Sequence, residues 1–349
     1  MGTCGNEGIW TIDEGNDYPR LAWEGRPGEA ISLSPLSDLL VGTGTESDPF
    51  LIYTAEELYL IRLFPCEWDK RFKLMADVDL SDYDGKEGRP GFEIIAPDRD
   101  PATSEFDGIS FTGIFDGNGH TISHLTINGG SYLGLFGQLG KWPTAAEVRD
   151  LGLVGVNVSG SGDHVGGLVG DNFSGSVTRC YSTGAVTGND YVGGLVGNNR
   201  GRVAQCYSSA HVWGDRDVGG LVGQNYGHIA TSYSTGAVIG KWDVGGLVGR
   251  NGSYVTYCYS IGTVTATGSA VGGMIGAGPS VVIASFWDMQ TSGQATSAGG
   301  TGKTTAEMQT AKTFLDAGWD FVGETANGTE DIWWINEGKD YPCLWWQTP

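Results

Sequence analysis

Four acidic residues in one irregular stretch have the side chains that hydrolysis of a glycosidic bond requires. The stretch 85–110 has no clear strand pattern and contains Asp98, Asp100, Glu105 and Asp107. A glycosidase holds two carboxyl groups about 5 to 10 Å apart, one as the acid and the other as the base or nucleophile. An acidic loop is also typical of a solvated surface. We therefore favour a non-catalytic protein and keep a polysaccharide-degrading enzyme, either a lyase or a glycoside hydrolase, as the alternative.

A second set of residues has the chemistry to bind a sugar chain rather than cleave it. Tyrosines recur at 26-residue intervals, each directly after a Cys or Ser: Tyr181, Tyr207, Tyr233 and Tyr259. Neighbouring residues on a strand face opposite ways, so the rings point to solvent if the Cys and Ser side chains point inward. Exposed rings about 4.8 Å apart would form a flat apolar track for a glycan or a partner surface. The alternative is that the rings point inward and fill the core.

No residues are spaced to hold a metal ion or a cofactor. His120 and His124 lie four positions apart in a β-patterned segment, where such side chains are about 13 Å apart. The Asp-rich segment 77–85 has Asp82 where an EF-hand loop requires Gly. We expect no metal ligands and no cofactor, although the excess of carboxylates leaves calcium in the turns as an open alternative.

The composition limits the classes of partner. The 349 residues include 41 Asp and Glu against 20 Lys and Arg, which gives a net charge of −21. Such a charge repels the phosphate backbone of nucleic acids, so we exclude a nucleic-acid partner. No apolar run reaches the roughly 18 residues of a transmembrane helix, so we expect no membrane insertion. The 59 glycines indicate short strands joined by many tight turns.

A repeat of 26 or 27 residues organises the chain. The hexad VGGLVG begins at residues 165, 192, 218 and 244 and returns as VGGMIG from residue 271, while a looser copy starts at Tyr132. The unit is too short for a propeller blade and lacks a helical period, but it fits one coil of a solenoid. The predicted fold is all-β: a right-handed parallel β-helix, or β-solenoid, with coils of about 26 residues and short capping helices. Its handedness follows the general rule for parallel crossovers.

Equivalent residues of stacked coils should form ladders along the solenoid axis. The Asn ladder comprises Asn172, Asn199, Asn225 and Asn251, and the Cys/Ser ladder comprises Cys180, Cys206, Ser232, Cys258 and Ser285. We expect the amides to hydrogen-bond from coil to coil in a buried turn. Stacked cysteines lie too far apart at Cβ for a disulfide, so we expect buried thiols. The paired glycines of each hexad should permit a positive φ or a close backbone approach.

The hexads, together with the CYSTGAV pattern from Cys180, resemble the GLUG repeat of bacterial secreted and surface proteins. The resemblance covers residues 165–278, and FTGIFDGNGHTISHLTI, from Phe111, is similar to the segment that commonly precedes GLUG repeats. The resemblance implies a solenoid in an extracellular or cell-surface setting, as in adhesins and the non-catalytic regions of immunoglobulin A peptidases. The family implies no single activity.

The ends of the chain carry a duplication and two helix signals. Residues 5–23 repeat residues 328–346 without gaps, with 12 identities in 19 positions, which indicates the tail of a preceding module. We expect this first copy to dock on the N-terminal cap of its own chain, with the exposed end of another molecule as the alternative. Capping boxes at Thr54 and Thr304 predict a helix on either side of the solenoid.

These signals divide the chain into four parts. Residues 1–40 are the tail of a preceding module plus a linker, and residues 41–130 are an N-terminal cap helix with the first coils. Residues 131–284 are the GLUG-repeat solenoid, and residues 285–349 are a C-terminal cap with a helix and a Trp-rich tail.

Together these patterns predict a non-catalytic extracellular module for adhesion or carbohydrate binding within a larger multi-module surface protein. Its expected partners are a polysaccharide or cell-surface glycan and the adjacent modules of the same protein. The enzyme described above and a module that self-assembles end to end into a filament are the alternatives.

Overall fold

A computed structural model describes residues 36–100, 105–278 and 281–347, together with three N-terminal strands. The chain winds into stacked coils, and each coil contributes one short strand to each of several parallel sheets. One sheet has nine strands: Phe50–Ile52, Arg71–Leu74, Ile114–Asp116, Glu147–Arg149, Ser176–Thr178, Arg202–Ala204, His228–Ala230, Tyr254–Thr256 and Val281–Ile283.

The two halves of the glycine-rich hexads supply two further sheets. The first halves form a sheet of five strands: Val165–Gly166, Asp190–Gly193, Arg216–Gly219, Trp242–Gly245 and Val271–Gly272. The second halves form a sheet of six strands: Phe136–Leu139, Val169–Asn172, Val196–Asn199, Val222–Asn225, Val248–Asn251 and Ile275–Ala277.

The remaining strands of the solenoid form its largest sheet, and the two ends of the chain form small antiparallel sheets. The largest sheet has thirteen strands: Val78–Asp79, Thr121–Ser123, Thr126–Gly129, Gly152–Gly160, Tyr181–Thr187, Tyr207–Ser208, His211–Trp213, Tyr233–Ser234, Val238–Gly240, Tyr259–Ser260, Val264–Ala266, Phe286–Asp288 and Thr301–Lys303. The small sheets comprise Trp10–Ile12, Arg20–Leu21 and Glu29–Ala30 at one end, and Trp333–Trp334 and Cys343–Leu344 at the other.

The pairing register confirms the predicted β-solenoid. Val165 pairs with Val192 and Val192 with Val218, so successive hexads lie directly beside one another. One continuous core of buried aliphatic and aromatic side chains follows the axis from Leu36 to Trp287. The right-handed sense of the solenoid stays a prediction from the crossover rule.

The predicted Asn ladder is confirmed and is fully buried. The Nδ2 atoms of Asn172 and Asn199 each donate to Oδ1 of the next Asn at 2.8 Å, and Nδ2 of Asn225 donates to Oδ1 of Asn251 at 2.7 Å. The same amides close their own turns, since the N–H of Gly227 donates to Asn225 Oδ1 at 3.2 Å. Each amide therefore satisfies buried polar groups both along the axis and within its own coil.

Close packing, not positive φ, explains the paired glycines of the hexads. A Cβ atom on Gly193 would lie 2.0 Å from the carbonyl oxygen of Val196, and one on Gly194 would lie 2.1 Å from Ser208 Oγ. Ser182 and Ser260 use this proximity, because their hydroxyls donate to the carbonyls of Gly194 and Gly273. Of the two alternatives, the close backbone approach is the correct one.

Helices flank the solenoid, as the two capping boxes predicted. Four α-helices lie in the described ranges: Ala55–Leu60, Met289–Ser292, Thr305–Met308 and Ala311–Leu315. Short 3₁₀ turns occupy Leu36–Asp38, Ile61–Leu63, Pro65–Glu67, Ser81–Tyr83 and Trp345–Gln347. Both capping boxes are present, at Thr54 with Glu57 and at Thr304 with Glu307.

The C-terminal helices lie at the end of the solenoid and beside the tyrosines. Met289 of the helix Met289–Ser292 packs against the main core, whereas Met308 and Phe314 pack in a second cluster with the tyrosines. The edge of the last coil is bonded by the segment 294–299, where Gly273 N–H donates to the carbonyl of Thr296 at 3.0 Å. An irregular segment of this kind can satisfy edge amides that a helix cannot.

The cysteines follow the expected pattern of buried thiols. Cys180, Cys206 and Cys258 are free and fully buried, and Cys180 N–H donates to Cys206 Sγ at 3.4 Å. Cys343 is also free, whereas Cys66 is disulfide-bonded. Cys4 and most of the duplicated segment 5–23, including its predicted docking on the N-terminal cap, lie outside the described residues.

Stacking also forces two carboxylates together at a corner of the solenoid. The register that pairs Arg216 with Trp242 and Val218 with Val244 places Asp217 beside Asp243. Asp217 is 1% exposed, and only its Oδ2 has a partner, the side chain of Gln224 at 2.8 Å. Burial, together with the neighbouring Asp243, raises the pKa of Asp217 to about 7.

Replacement of Asn225 by Ala should cost about 1 to 3 kcal/mol of unfolding free energy, because it removes amide bonds to two neighbouring coils and leaves buried partners unpaired. Chemical denaturation of the parent and variant measures this difference. Asn128→Ala, at an exposed position of its strand, is the matched control and should change stability little. An Asn225 variant as stable as the control would contradict a stabilising role for the ladder.

Replacement of Asp217 by Asn should stabilise the protein above pH 7 and have little effect near pH 4. The raised pKa means that the folded state binds an extra proton between about pH 4 and 7, so this group's contribution to stability falls as pH rises through that window. Urea denaturation at pH 4, 6 and 8 tests this, with exposed Asp38→Asn as the control. An equal effect at pH 4 and 8 would contradict the assignment.

Candidate functional site

The four predicted tyrosines form one continuous stack on the outside of the solenoid. The ring centroids of Tyr181, Tyr207, Tyr233 and Tyr259 are separated by 4.8, 5.0 and 4.8 Å, with interplanar angles of 3 to 5°. The preceding Cys/Ser ladder is buried in the main core, whereas the tyrosines pack in a separate cluster. The alternation of strand residues therefore operates as expected, and the rings point away from the core.

The C-terminal tail covers one end of this tyrosine stack. Trp333 lies 6.3 Å from Tyr233 and 6.0 Å from Tyr259, measured between ring centroids. The Tyr259 hydroxyl donates to the carbonyl of Pro342, and the Tyr233 hydroxyl bonds to Gln347. These two tyrosines are only 1% and 6% exposed. The open track of four rings considered from the sequence is therefore closed at Tyr233 and Tyr259, by the chain's own tail rather than by its core.

The other end of the stack borders a groove of about 450 Å³. Tyr181 and Tyr207 are half-buried, and Trp346 stacks near them at 6.2 and 5.8 Å. The groove is lined by Gly119, Asp150, Leu151, Gly152, Arg179, Tyr181, Tyr207, Trp345, Trp346 and Gln347. Gly152 leaves room for the ring, because a Cβ there would lie 2.4 Å from Tyr181 Cζ.

Polar groups with fixed geometry lie beside these rings. Arg179 makes a two-pronged ion pair with Asp150, with N–O distances of 2.5 and 2.8 Å. This pairing raises the pKa of Arg179, and burial raises the pKa of Tyr181 and brings that of Tyr207 to about 12. The hydroxyls therefore stay protonated at neutral pH and can donate hydrogen bonds. Aromatic faces next to a few fixed polar groups are typical of small-ligand sites.

The structure places three of the four acids considered for catalysis, Asp98, Asp100 and Asp107, in one hydrogen-bonded loop. Asp107 N–H donates to Asp98 Oδ1 at 3.0 Å, and Asp107 Oδ1 accepts the N–H groups of Arg99 and Asp100. Burial raises the pKa of Asp98. Desolvation raises the pKa of Asp107, but the two N–H groups outweigh it and hold the pKa low.

These bonds give Asp98 and Asp107 a structural role in closing their loop. Glu105 is exposed, and residues 101–104 lie outside the described residues. That the chain has no catalytic residues stays a prediction, with Asp98, Asp100, Glu105 and Asp107 as the alternative if it is an enzyme.

The described ranges contain no group of three or more His, Cys, Asp or Glu side chains that could hold a metal ion. The acids of segment 77–85 are bonded to protein neighbours: Thr121 N–H donates to Asp77 at 2.8 Å, and His124 Nδ1 lies 2.8 Å from Asp79 Oδ1. The absence of a cofactor stays a prediction, and calcium in the turns stays the open alternative. Across the same ranges, every helix is too short or too polar to span a bilayer.

The groove residues outside the tyrosine ladder were not found from the sequence. Asp150 and Arg179 occupy equivalent corners of successive coils, and Trp346 and Gln347 come from the far end of the chain. The sequence indicated the importance of Trp346 only because it recurs in the duplicated segment. Nothing in the residue spacing indicates where the tail docks.

Family comparison identifies the repeat unit. The model of the GLUG motif matches residues 161–187, 214–239 and 240–265. The coil between the first two matches, residues 188–213, pairs in register with its neighbours on both sides.

Two curated relatives share part of this sequence. Halomucin from Haloquadratum walsbyi is 36% identical over 167 residues, which are 46% of this chain and 2% of halomucin. A candidate Gly-rich membrane protein from Evansella cellulosilytica is 36% identical over 136 residues, which are 38% of this chain and 14% of that protein. The chain therefore spans a small fraction of either relative.

A solved structure shares the fold. A candidate immunoglobulin A1 protease from Bacteroides ovatus superposes with a TM-score of 0.65 and 21% identity, covering 88% of this chain and 95% of that one. At this identity the likeness concerns the fold alone. Three of the repeated coils of this chain match the GLUG motif, as the VGGLVG and CYSTGAV patterns predicted.

Proposed function

We propose that this chain is a non-catalytic extracellular module that binds carbohydrate in the groove at the open end of the tyrosine stack. The observation that carries the proposal is the juxtaposition of half-buried Tyr181 and Tyr207 with Trp346 and the Asp150–Arg179 pair. The apolar face of a sugar ring packs on flat aromatic rings, while its hydroxyls need fixed donors and acceptors beside them. The groove offers both kinds of group within one cavity.

Three observations support a setting outside the cell. Cys66 is disulfide-bonded, and disulfides persist mainly in oxidising compartments. The net charge of −21 favours solubility and repels other acidic surfaces. One relative is named halomucin and another is named as a membrane protein, which fits a surface location. Adhesion through a cell-surface glycan is the form of binding that this setting favours.

Tyr181→Ala and Trp346→Ala should each weaken polysaccharide binding about 5- to 30-fold, because each removes an aromatic face worth roughly 1 to 2 kcal/mol. A screen of soluble plant, algal and host polysaccharides identifies the ligand, and titration calorimetry measures the affinities. Tyr254→Ala is the matched control, since Tyr254 is 54% exposed on a different sheet. Equal losses in all three variants, or none, would contradict the groove as the binding site.

Combined replacement of Asp98, Asp100 and Asp107 by Asn and of Glu105 by Gln should leave polysaccharide turnover at the background of the parent. The carboxylates of Asp98 and Asp107 accept backbone N–H bonds within the loop. The expected loss is therefore in the stability of the loop rather than in activity. Release of reducing ends from the same polysaccharides is the measurement. Turnover by the parent that disappears in the variant would favour the β-helix enzyme instead.

A further inference from the structure

The strands of the two copies of the duplicated segment pair in the same antiparallel register, and we call each strand pair a hairpin. In the C-terminal hairpin, Trp333 pairs with Leu344 and Trp334 with Cys343. In the N-terminal hairpin, Trp10 pairs with Leu21 and Thr11 with Arg20. These four pairs occupy identical positions when the two segments of 12 identities are aligned. The shared sequence therefore encodes a shared backbone pairing, not only a similar composition.

The C-terminal hairpin shows what this element binds. Trp333 and Leu344 are 1% and 0% exposed against Tyr233, Tyr259 and their neighbours. Pro342 accepts the Tyr259 hydroxyl bond through its carbonyl oxygen. The partner of the hairpin is thus the stack of parallel tyrosine rings together with Trp319, whose ring centroid lies 4.5 Å from that of Trp333.

The residues that contact the tyrosines in the C-terminal copy are identical in the two copies, whereas the aromatic residues that differ are exposed to solvent there. The residues of the C-terminal copy that are buried or stacked on the tyrosines all have identical counterparts: Trp333 and Trp10, Tyr341 and Tyr18, Pro342 and Pro19, Leu344 and Leu21, Trp346 and Trp23. The aromatic residues that differ, Trp334 and Trp345, are 41% and 47% exposed. Thr11 and Ala22 stand at those positions in the first copy. The first copy therefore retains, within residues 5–23, the residue types that are buried or stacked on the tyrosines in the C-terminal copy.

We propose that the N-terminal hairpin docks on the stacked tyrosines of a second solenoid of this kind. The stack of its own chain is occupied by the C-terminal hairpin, so the acceptor is a stack whose own hairpin is displaced. At each contact, the aromatic residues of a hairpin from one solenoid pack on the tyrosine stack of the next solenoid. The main contacts are with Tyr233 and Tyr259, but displacing the acceptor's own tail also removes Trp346 from the groove, where Trp23 of the incoming copy is the equivalent residue.

The test uses full-length acceptor chains whose own hairpin is loosened by Trp333→Ala or, separately, by Leu344→Ala. A labelled synthetic peptide of residues 5–23 is titrated against each acceptor and followed by fluorescence anisotropy. The peptide of residues 328–346 is the positive control, and peptide 5–23 carrying Trp10→Ala is the matched negative control. We expect peptide 5–23 to bind at least about tenfold more tightly than the Trp10→Ala peptide, and Tyr233→Ala in the acceptor to abolish binding.

Sedimentation velocity provides a second readout that needs no peptide. The Trp333→Ala chain should self-associate as its concentration rises, because it carries both an intact N-terminal hairpin and an open stack. Adding Trp10→Ala to that chain should restore the monomer. Binding of peptide 328–346 without binding of peptide 5–23 would overturn the proposal. So would association that persists unchanged with Trp10→Ala, or the absence of any peptide binding to either acceptor.

Discussion

Every feature of this molecule depends on one constraint: adjacent coils must hydrogen-bond to each other in register along their whole length. Parallel strands of successive coils are separated by the inter-strand spacing, so any residue type that recurs every 26 or 27 residues becomes a column along the axis. Columns of Val fill the core and the Asn column closes a turn in each coil. The tyrosine stack is the same effect on the outer surface, and its ring spacing of 4.8 to 5.0 Å is set by the backbone rather than by any preference of the rings.

At the corners of the coils, residues in an unfavourable backbone conformation stack into columns of side chains. Non-glycine residues with positive φ recur at two corners of the coils: Tyr132, His164, Tyr191, Asp217, Asp243 and Ala270 at one, and Asp150, Arg179, Gln205, Thr231, Tyr257 and Ala284 at the other. An L-residue there costs roughly 1 to 2 kcal/mol, which glycine would avoid. The side chains make contacts between coils that glycine cannot make, such as the bond of Arg179 to Asp150 and the stacking of His164 on Tyr132 at 4.5 Å. One of these corner columns forms a wall of the groove.

The solenoid could be predicted from the sequence because each coil contacts only its neighbours and its residue types recur at a fixed spacing. Hexad spacing indicated the coil, and the Asn, Cys and Tyr columns followed from stacking alone. The contacts between Tyr233, Tyr259 and the tail were not predictable, since they join residues 83 to 114 positions apart that share no period. For the same reason, the sequence left open whether the tyrosines face core or solvent. The alternation of side chains along a strand predicted correctly that the tyrosine rings point away from the core. It could not predict that the C-terminal tail covers Tyr233 and Tyr259.

The tail contacts also solve a problem inherent in nearly identical coils. Because each hexad resembles the next, a folding chain could pair a coil with the wrong neighbour and skip 26 residues while losing few local contacts. The C-terminal tail contacts all four tyrosines at once, with Trp333 over Tyr233 and Tyr259 and Trp346 over Tyr181 and Tyr207. A solenoid that had omitted a coil would offer a stack one ring too short for both tryptophans. The spacing of the two tryptophans along the tail therefore matches the four tyrosine-bearing coils of this solenoid.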